Sequence, residues 1–447
     1  MGLFFGTDGF RGKFGFEISP EVATRCGSAL AEYSKNNKAK NNQQIKILIG
    51  TDTRLSCDVL ALSFACGALS GGVNVTYIGV CPTAGVSYLT KTNNYDFGIV
   101  ISASHNPEEF NGIKIFSSSG QKIGDKIESE IEKNLLKNTC VSFDKVGKFK
   151  YDSKLVQKYK KFLKSVAYCS LDGLKIVLDC SNGASSKIAP SVFKDLSVDV
   201  YSICDKPNGK NINKKCGALH LEKIKNKVIS QKADFGFAFD GDSDRLIAID
   251  EKGSVVDGDK ILYVFAKYYK QKGMLTNGMV VGTKHTNMGV EVALKKEGIA
   301  LLRTDIGDKY VSDAIAKNNL AIGGEQSGHI FLRDKLETGD GVLNAIFLSC
   351  ICKEQKMPLS KIADVPLFYQ TNINVEVKNK TKIMCSNILT YEEKLAKNEL
   401  DGKGRVLIRP SGTEPYIRIM VECEDKNLAN LIAKRLTKII KTLEMEL

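Results

Sequence analysis

One organisation recurs three times along the chain and restricts its fold more than any other feature. An apolar run of strand length is followed by a polar turn, a helical stretch and a second apolar run. A third apolar run then ends abruptly in small, polar, turn-forming residues. In the first copy a strand at 45–50 leads through a turn at 51–56 to a helix at 59–69, a strand at 73–78 and a strand at 95–101. The second copy runs from 175–179 through Ser181-Asn182-Gly183, 187–193 and 198–203 to a strand at 235–239. The third runs from 279–282 through Thr286-Asn287, 290–296 and 299–302 to 320–322. Strands alternating with helices predict mainly parallel α/β sheets, which bind ligands beyond the carboxyl ends of their strands. The three polar loops closing the copies are therefore equivalent in position.

Beyond Pro366 the pattern stops. Strands at 372–377, 406–408 and 417–422 precede an amphipathic helix at 428–443, with Leu428, Leu431, Ile432, Leu436, Ile439 and Ile440 on one face. A chain of 447 residues has room for three or four domains. The expected division is 1–150, 151–252, 253–366 and 367–447: three related mixed, mainly parallel α/β domains and a smaller C-terminal α+β domain.

Composition narrows the function classes. A formal charge of +13 arises from lysines scattered through polar helical stretches, without an aromatic-lined basic stripe, so nucleic-acid binding is not expected as the main role. Thirteen cysteines without a CxxC pair argue for free thiols in a reducing compartment rather than a disulfide framework. The opening MGLFFGTDGFRG lacks the charged start and apolar core of a secretory signal, and Gly6 breaks the myristoylation pattern. No apolar run reaches membrane-spanning length, so a cytoplasmic enzyme is expected.

The three loops and the C-terminal segment carry distinct chemistry. Ser104 is flanked by small Ser102 and Ala103 and followed by His105-Asn106-Pro107, a turn that presents a hydroxyl on a surface loop; ordinary turn chemistry is the plainer alternative. Asp240, Asp242 and Asp244 alternate along what reads as an extended segment, aiming three carboxylates to one side, where a cation of the Mg²⁺, Mn²⁺ or Ca²⁺ type offsets their repulsion. A solvated acidic turn is the plainer alternative, and an EF-hand fits poorly, because Arg245 stands where its glycine is needed and the flanks are strand-like. Glu325, Ser327 and His329, hinged by Gly323, Gly324 and Gly328, offer donors and acceptors suited to sugar hydroxyls, with a structural glycine turn as the alternative. Arg409-Pro410-Ser411-Gly412-Thr413, with Arg418 close behind on the next strand, supplies a guanidinium, two hydroxyls and backbone N–H groups that suit a phosphate, with an ordinary Pro-Gly turn as the alternative.

Six segments in register then carry a resemblance: TDGFRG at 7–12, SASHNP at 102–107, NGIK at 111–114, DGDSDR at 240–245, GGEQSGH at 323–329 and RPSGTEP at 409–415. In order and spacing, over essentially the whole chain, they resemble the motif set of the α-D-phosphohexomutases. FGTDGFRG at the start, NINKKCG at 211–217, VVGT at 280–283 and Gln326 most resemble the branch acting on glucosamine phosphate.

The resemblance implies four domains around a central cleft, with Ser104 carrying a phosphate of about −1.5 to −2 charge. It implies one Mg²⁺ per site held by phosphorylated Ser104, Asp240, Asp242 and Asp244. Lys114 takes the acid/base role with Arg11 in support, and Arg245, Glu325, Ser327, His329, Arg409, Ser411, Gly412, Thr413 and Arg418 contact substrate. Phosphoserine 104 is expected to pass its phosphoryl group to glucosamine 6-phosphate, forming a bound glucosamine 1,6-bisphosphate. That intermediate turns over and returns the other phosphate, releasing glucosamine 1-phosphate for UDP-N-acetylglucosamine and cell-envelope synthesis. Partners are thus small sugar phosphates, with neither nucleic acid nor membrane. A homodimer, and priming of Ser104 by a kinase or by autophosphorylation, stay open.

Four places depart from the family pattern. Phe110 replaces an acidic residue before NGIK, Ser243 the commoner glycine, Ala218-Leu219 the usual Ser-Thr, and Lys284-His285 apolar residues after VVGT. The last leaves broader specificity open, with a phosphomannomutase or phosphoglucomutase of the same fold as the alternative. A non-catalytic sugar-phosphate-binding relative is a second alternative, against which the intact Ser104, aspartates and Lys114 count.

Overall fold

The computed structural model describes residues 6, 9–38, 44–136, 146–411 and 415–446. Within them the three repeats give three sheets of one plan. The first contains β1 (Phe10–Lys13), β2 (Lys46–Thr51), β3 (Asn74–Val80), β4 (Phe97–Ile101), β5 (Phe110–Ser117) and β6 (Phe149–Tyr151), ordered β1-β5-β4-β2-β3-β6. The second contains β7 (Lys175–Asp179), β8 (Asp199–Ile203), β9 (Phe235–Phe239), β10 (Leu246–Asp250) and β11 (Val255–Val256), ordered β11-β10-β9-β7-β8. The third contains β12 (Met279–Thr283), β13 (Ala300–Thr304), β14 (Ile322–Gly324) and β15 (Ile330–Leu332), ordered β13-β12-β14-β15.

In every copy the first strand lies between the second and third, all parallel, as the alternating pattern requires. Each polar loop then turns the chain into a fourth strand that pairs antiparallel with the third: β5 with β4, β10 with β9 and β15 with β14. The sheets are therefore mixed. The motif at 111–114 lies in β5, where Lys114 stands opposite Val100. β4 and β9 are buried along their whole length, so the loops that follow leave a rigid, desolvated layer.

Residue contacts divide the chain into two units, Met1–His285 with Gly298–Asp364, and Thr286–Glu297 with Val365–Leu447. In the second unit β16 (Tyr369–Glu376), β17 (Gly404–Pro410) and β18 (Tyr416–Cys423) form an antiparallel sheet ordered β16-β18-β17. Ile417, Ile419 and Val421 alternate inward from β18 and share a core with Ile432, Leu436 and Ile440 of the helix Lys426–Glu446. The helix Met288–Lys296, counted by its sequence with the third repeat, groups with this unit. Met288 N donates to Glu422 Oε1 at 2.8 Å, and the Asn287 side chain bonds the Phe368 backbone in both directions. No helix of the described residues is long and apolar enough to cross a membrane.

Candidate active site

The serine loop is held from beneath by a buried ion pair. Asp52 and Arg54 follow β2, and Arg54 Nε meets Asp52 Oδ2 at 2.9 Å with both side chains buried. Arg54 Nη2 donates to the Ser104 and Asn106 carbonyls at 2.9 Å each, and Nη1 donates to the Pro107 carbonyl. Ser102 Oγ donates to Asp52 Oδ2 at 2.6 Å and accepts from Ser104 N at 3.0 Å. Asn213, from the second repeat, donates to the Ser104 and Asn106 carbonyls at 2.8 and 3.0 Å. These bonds hold Ser104 in the left-handed region, at φ 52°. The side chain expected on a surface loop is fully buried instead, because Asp240 closes over it: Ser104 Oγ donates to Asp240 Oδ2 at 2.5 Å.

The aspartates do not lie on an extended segment. Ser243 takes φ 63° and its N–H donates to the Asp240 carbonyl at 3.1 Å, so a tight turn gathers the carboxylates, with one oxygen of each within 4.8 Å of the others. A Cβ on Gly241 would stand 2.5 Å from the Ser104 carbonyl oxygen, so glycine is what lets the two loops touch. Lys114 reaches the turn from β5, its Nζ 2.7 Å from Asp242 Oδ2 and 3.2 Å from Asp244 Oδ2. Thr83 Oγ1 adds a 2.5 Å bond to Asp242 Oδ2.

Three buried carboxylates crowd one turn, with the Lys114 ammonium between two of them and the Arg245 charge acting on Asp240. Burial, reinforced by Asp244 and Asp242, pushes the Asp240 carboxyl well above the usual carboxylate range. Asp242 Oδ1 is buried without a hydrogen-bond partner among the described residues. All-oxygen donors, mutually repelling carboxylates and an unsatisfied carboxylate oxygen fit a hard divalent cation. Beside them His105, 3.4 Å from Ser104 Oγ through Nδ1, is pushed down to about 4 by burial and by Arg245 and Arg11, so its ring is neutral near pH 7.

The third loop closes on the same turn. Glu325 N donates to the His329 carbonyl at 3.0 Å and Gly328 N to the Glu325 carbonyl at 2.9 Å. Gly328, at φ 91°, lies so close to β10 that a Cβ would stand 2.2 Å from the Leu246 carbonyl oxygen. His329 stacks on Phe331 and lies between two carboxylates, Nδ1 3.7 Å from Asp244 Oδ1 and Nε2 3.9 Å from Asp308 Oδ2. Glu325 Oε1 accepts from Gly307 N at 3.0 Å, and burial raises its pKa. Ser327 is partly exposed. Arg245 N donates to Asp240 Oδ1 at 3.2 Å, and Arg11 Nη1 to Asn106 Oδ1 at 3.2 Å. Lys284 pairs instead with Asp305 at 2.5 Å, both side chains more than half exposed.

In the second unit Arg409 and Arg418 stand directly opposite each other on β17 and β18. Burial and the Arg418 charge lower the Arg409 pKa, as two facing cations should. Ser411 is buried and its carbonyl accepts from Lys380 Nζ at 2.6 Å. Gly412 and Thr413 lie outside the described residues.

The structure thus brings Ser104, Lys114, the three aspartates and His329 into one cluster. Sequence reasoning passed over Asp52, Arg54, Thr83, Asn213 and Asp308. The Asp-Thr-Arg run closing the first strand and the first asparagine-rich stretch of the second repeat were visible, but only folding shows that they hold the serine loop.

Four family profiles match in sequence order, phosphoglucomutase/phosphomannomutase alpha/beta/alpha domains I, II and III over residues 2–141, 154–253 and 257–368, and the C-terminal domain over 373–439. The phosphoglucosamine mutase of Caldicellulosiruptor saccharolyticus is 44% identical over 454 residues, covering 98% of this chain and 100% of that one. A phosphoglucomutase/phosphomannomutase family protein from Burkholderia thailandensis has the same fold, with a TM-score of 0.82 at 21% identity over 97% of both chains. Aspergillus fumigatus N-acetylphosphoglucosamine mutase, solved with GlcNAc-6P and magnesium, follows at a TM-score of 0.67 and 18% identity, over 99% of this chain and 96% of that one. The chain belongs to the phosphoglucomutase/phosphomannomutase family, the α-D-phosphohexomutases.

Proposed function

We propose that this enzyme interconverts glucosamine 6-phosphate and glucosamine 1-phosphate through a phosphoryl group carried on Ser104. The chemistry rests on one observation: Ser104 Oγ lies 2.5 Å from Asp240 while Lys114 bridges Asp242 and Asp244, so a carrier hydroxyl sits beside an acidic, lysine-braced turn. The sugar follows from full-length relatives named phosphoglucosamine mutase at 43–44% identity. In this reading phosphoserine 104 gives its phosphoryl group to O1 of glucosamine 6-phosphate. The resulting 1,6-bisphosphate turns over, and its 6-phosphate returns to Ser104 Oγ.

Asp240, Asp242, Asp244 and the Ser104 phosphate would hold Mg²⁺, which when bound supplies positive charge to the phosphoryl oxygens. Lys114 holds the aspartate turn and carries the acid/base role, with Arg11 bracing the serine loop through Asn106. His329 and Glu325 present the sugar loop, and Arg409, Arg418 and the 411–413 segment take the non-reacting phosphate. Positioning and charge carry such a transfer, which agrees with the density of ion pairs and backbone clamps around Ser104. The product suits UDP-N-acetylglucosamine synthesis.

A coupled assay comparing kcat/KM on glucosamine 6-phosphate with glucose and mannose phosphates tests the substrate. The highest value is expected on glucosamine 6-phosphate, with measurable glucose phosphate turnover. A clear excess for mannose phosphate would assign the chain to the hexose branch and leave the phosphoserine chemistry standing.

A further inference from the structure

Behind the serine loop, the second repeat holds a cluster that the mutase chemistry does not use. Asp179 ends β7, Cys204 follows β8, and Cys216 precedes a turn at Gly217. A carboxylate oxygen of Asp179 and the two sulfurs all lie within 4.8 Å of one another. Asp179 is committed to the backbone, accepting from Ser181 N at 2.9 Å and Gly217 N at 3.0 Å. The thiols differ in access: Cys216 is buried and Cys204 is half-buried, so a small oxidant reaches one of them first. A hydrogen bond from Cys216 lowers the Cys204 pKa against the opposing effects of burial and Asp179, and raises that of Cys216. A reactive thiol beside a buried resolving thiol is the arrangement that intramolecular disulfide formation requires.

The segment between the two cysteines is also the one that grips the serine loop. Asn213, three residues before Cys216, is fixed by its N–H to the Ser181 carbonyl at 2.9 Å and donates to the Ser104 and Asn106 carbonyls. Cys204 is anchored by β8 and by Asn182 N, which donates to its carbonyl at 2.5 Å. A disulfide needs its sulfurs at about 2.05 Å. Closing that gap pulls on the Cys216 side, and with it on Asn213.

We propose that Cys204 and Cys216 form a reversible disulfide under hydroperoxide, and that this bond slows phosphoryl transfer by loosening the hold of Asn213 on the Ser104 carbonyl. The Cys204 thiolate attacks one peroxide oxygen, the O–O bond breaks, and hydroxide leaves to take up a proton, giving a sulfenic acid. Cys216 sulfur then attacks the Cys204 sulfur, the S–O bond breaks, the Cys216 proton leaves with the oxygen, and water departs. Two thiols lose two electrons and one peroxide becomes two waters.

The test is hydrogen peroxide treatment of the purified full chain, followed by non-reducing peptide mapping and a mutase assay before and after dithiothreitol. A Cys204–Cys216 peptide pair is expected, about 2 Da below the sum of its reduced halves. Turnover should fall about fivefold, the order of one weakened hydrogen bond, and recover with dithiothreitol. Cys204→Ser should remove both the pair and the reversible loss. Cys216→Ser should leave a sulfenic acid on Cys204 that dimedone traps. Exposed Cys66 and Cys385 make the peptide map the deciding readout, and it holds whichever sugar phosphate the enzyme converts. Absence of the pair overturns the proposal. So does a peroxide-induced loss that persists unchanged in Cys204→Ser, and a formed pair with unaltered turnover overturns the coupling.

Discussion

The Ser104 hydroxyl donates a 2.5 Å hydrogen bond to Asp240 across 136 residues of sequence, joining the first and second repeats at the point where the phosphoryl group is to be carried. Ser104→Ala removes the carrier while leaving the Arg54 and Asn213 clamps on the loop carbonyls intact. Turnover should fall by at least ~10³-fold. Stability should fall by about 1–3 kcal/mol, the cost of leaving the buried Asp240 oxygen without its donor. Near-normal turnover by a folded variant would contradict the carrier role.

Lys114 is 1% exposed between Asp242 and Asp244, so Lys114→Met takes the ammonium away from two buried carboxylates. Removing one side of a buried pair destabilises by about 3–5 kcal/mol. The melting temperature should drop by several degrees in chelator and recover part of the loss when Mg²⁺ is added, as mass action on a native-state site requires. Equal melting with and without Mg²⁺ would argue against a cation at the aspartate turn.

Much of this was legible before folding, and the failures have physical causes. The strands at 45–50 and 235–239 read correctly because apolar runs ending in turn residues are local signals. The sequence places Arg409 in a turn and Arg418 on the strand after it; the ladder extends the first strand through Arg409 and sets the two opposite each other. The aspartates misread because alternation is indistinguishable from a turn when the deciding feature is one serine at positive φ. Ser104 misread as a surface residue because its cover, Asp240, comes from another repeat. Arg54 and Asn213 reach the serine loop through contacts far along the chain, which no local pattern carries.

Facing guanidiniums repel until an anion joins them. Arg409→Ala should therefore raise KM for glucosamine 6-phosphate and lower kcat, since a bidentate contact positions as well as binds. The melting temperature without substrate should stay level or rise as the repulsion with Arg418 is relieved. A substantial loss of stability with unchanged KM would make the pair structural.

Asp340 caps the helix Gly341–Gln355, accepting from Val342 N and Leu343 N at 3.0 Å and from the Tyr159 hydroxyl at 2.7 Å. Burial pushes its pKa from 3.8 up to about 6. Between those values the folded chain keeps a proton that the unfolded chain has lost, so this residue's contribution to stability falls as pH rises, by roughly 3 kcal/mol in all. Asp340→Asn keeps a capping carbonyl and cannot ionise. Urea titrations from pH 4 to 7 should show the variant gaining stability relative to the parent; a difference constant with pH would contradict the assignment.

The central claim is that one phosphoryl group passes from Ser104 to the sugar. Enzyme labelled with radioactive phosphate at Ser104 should be mixed with excess glucosamine 6-phosphate and quenched within a single turnover. The account predicts that label leaves the protein and appears in glucosamine 1,6-bisphosphate at a rate no slower than kcat. Label that stays on Ser104 while glucosamine 1-phosphate accumulates would contradict it.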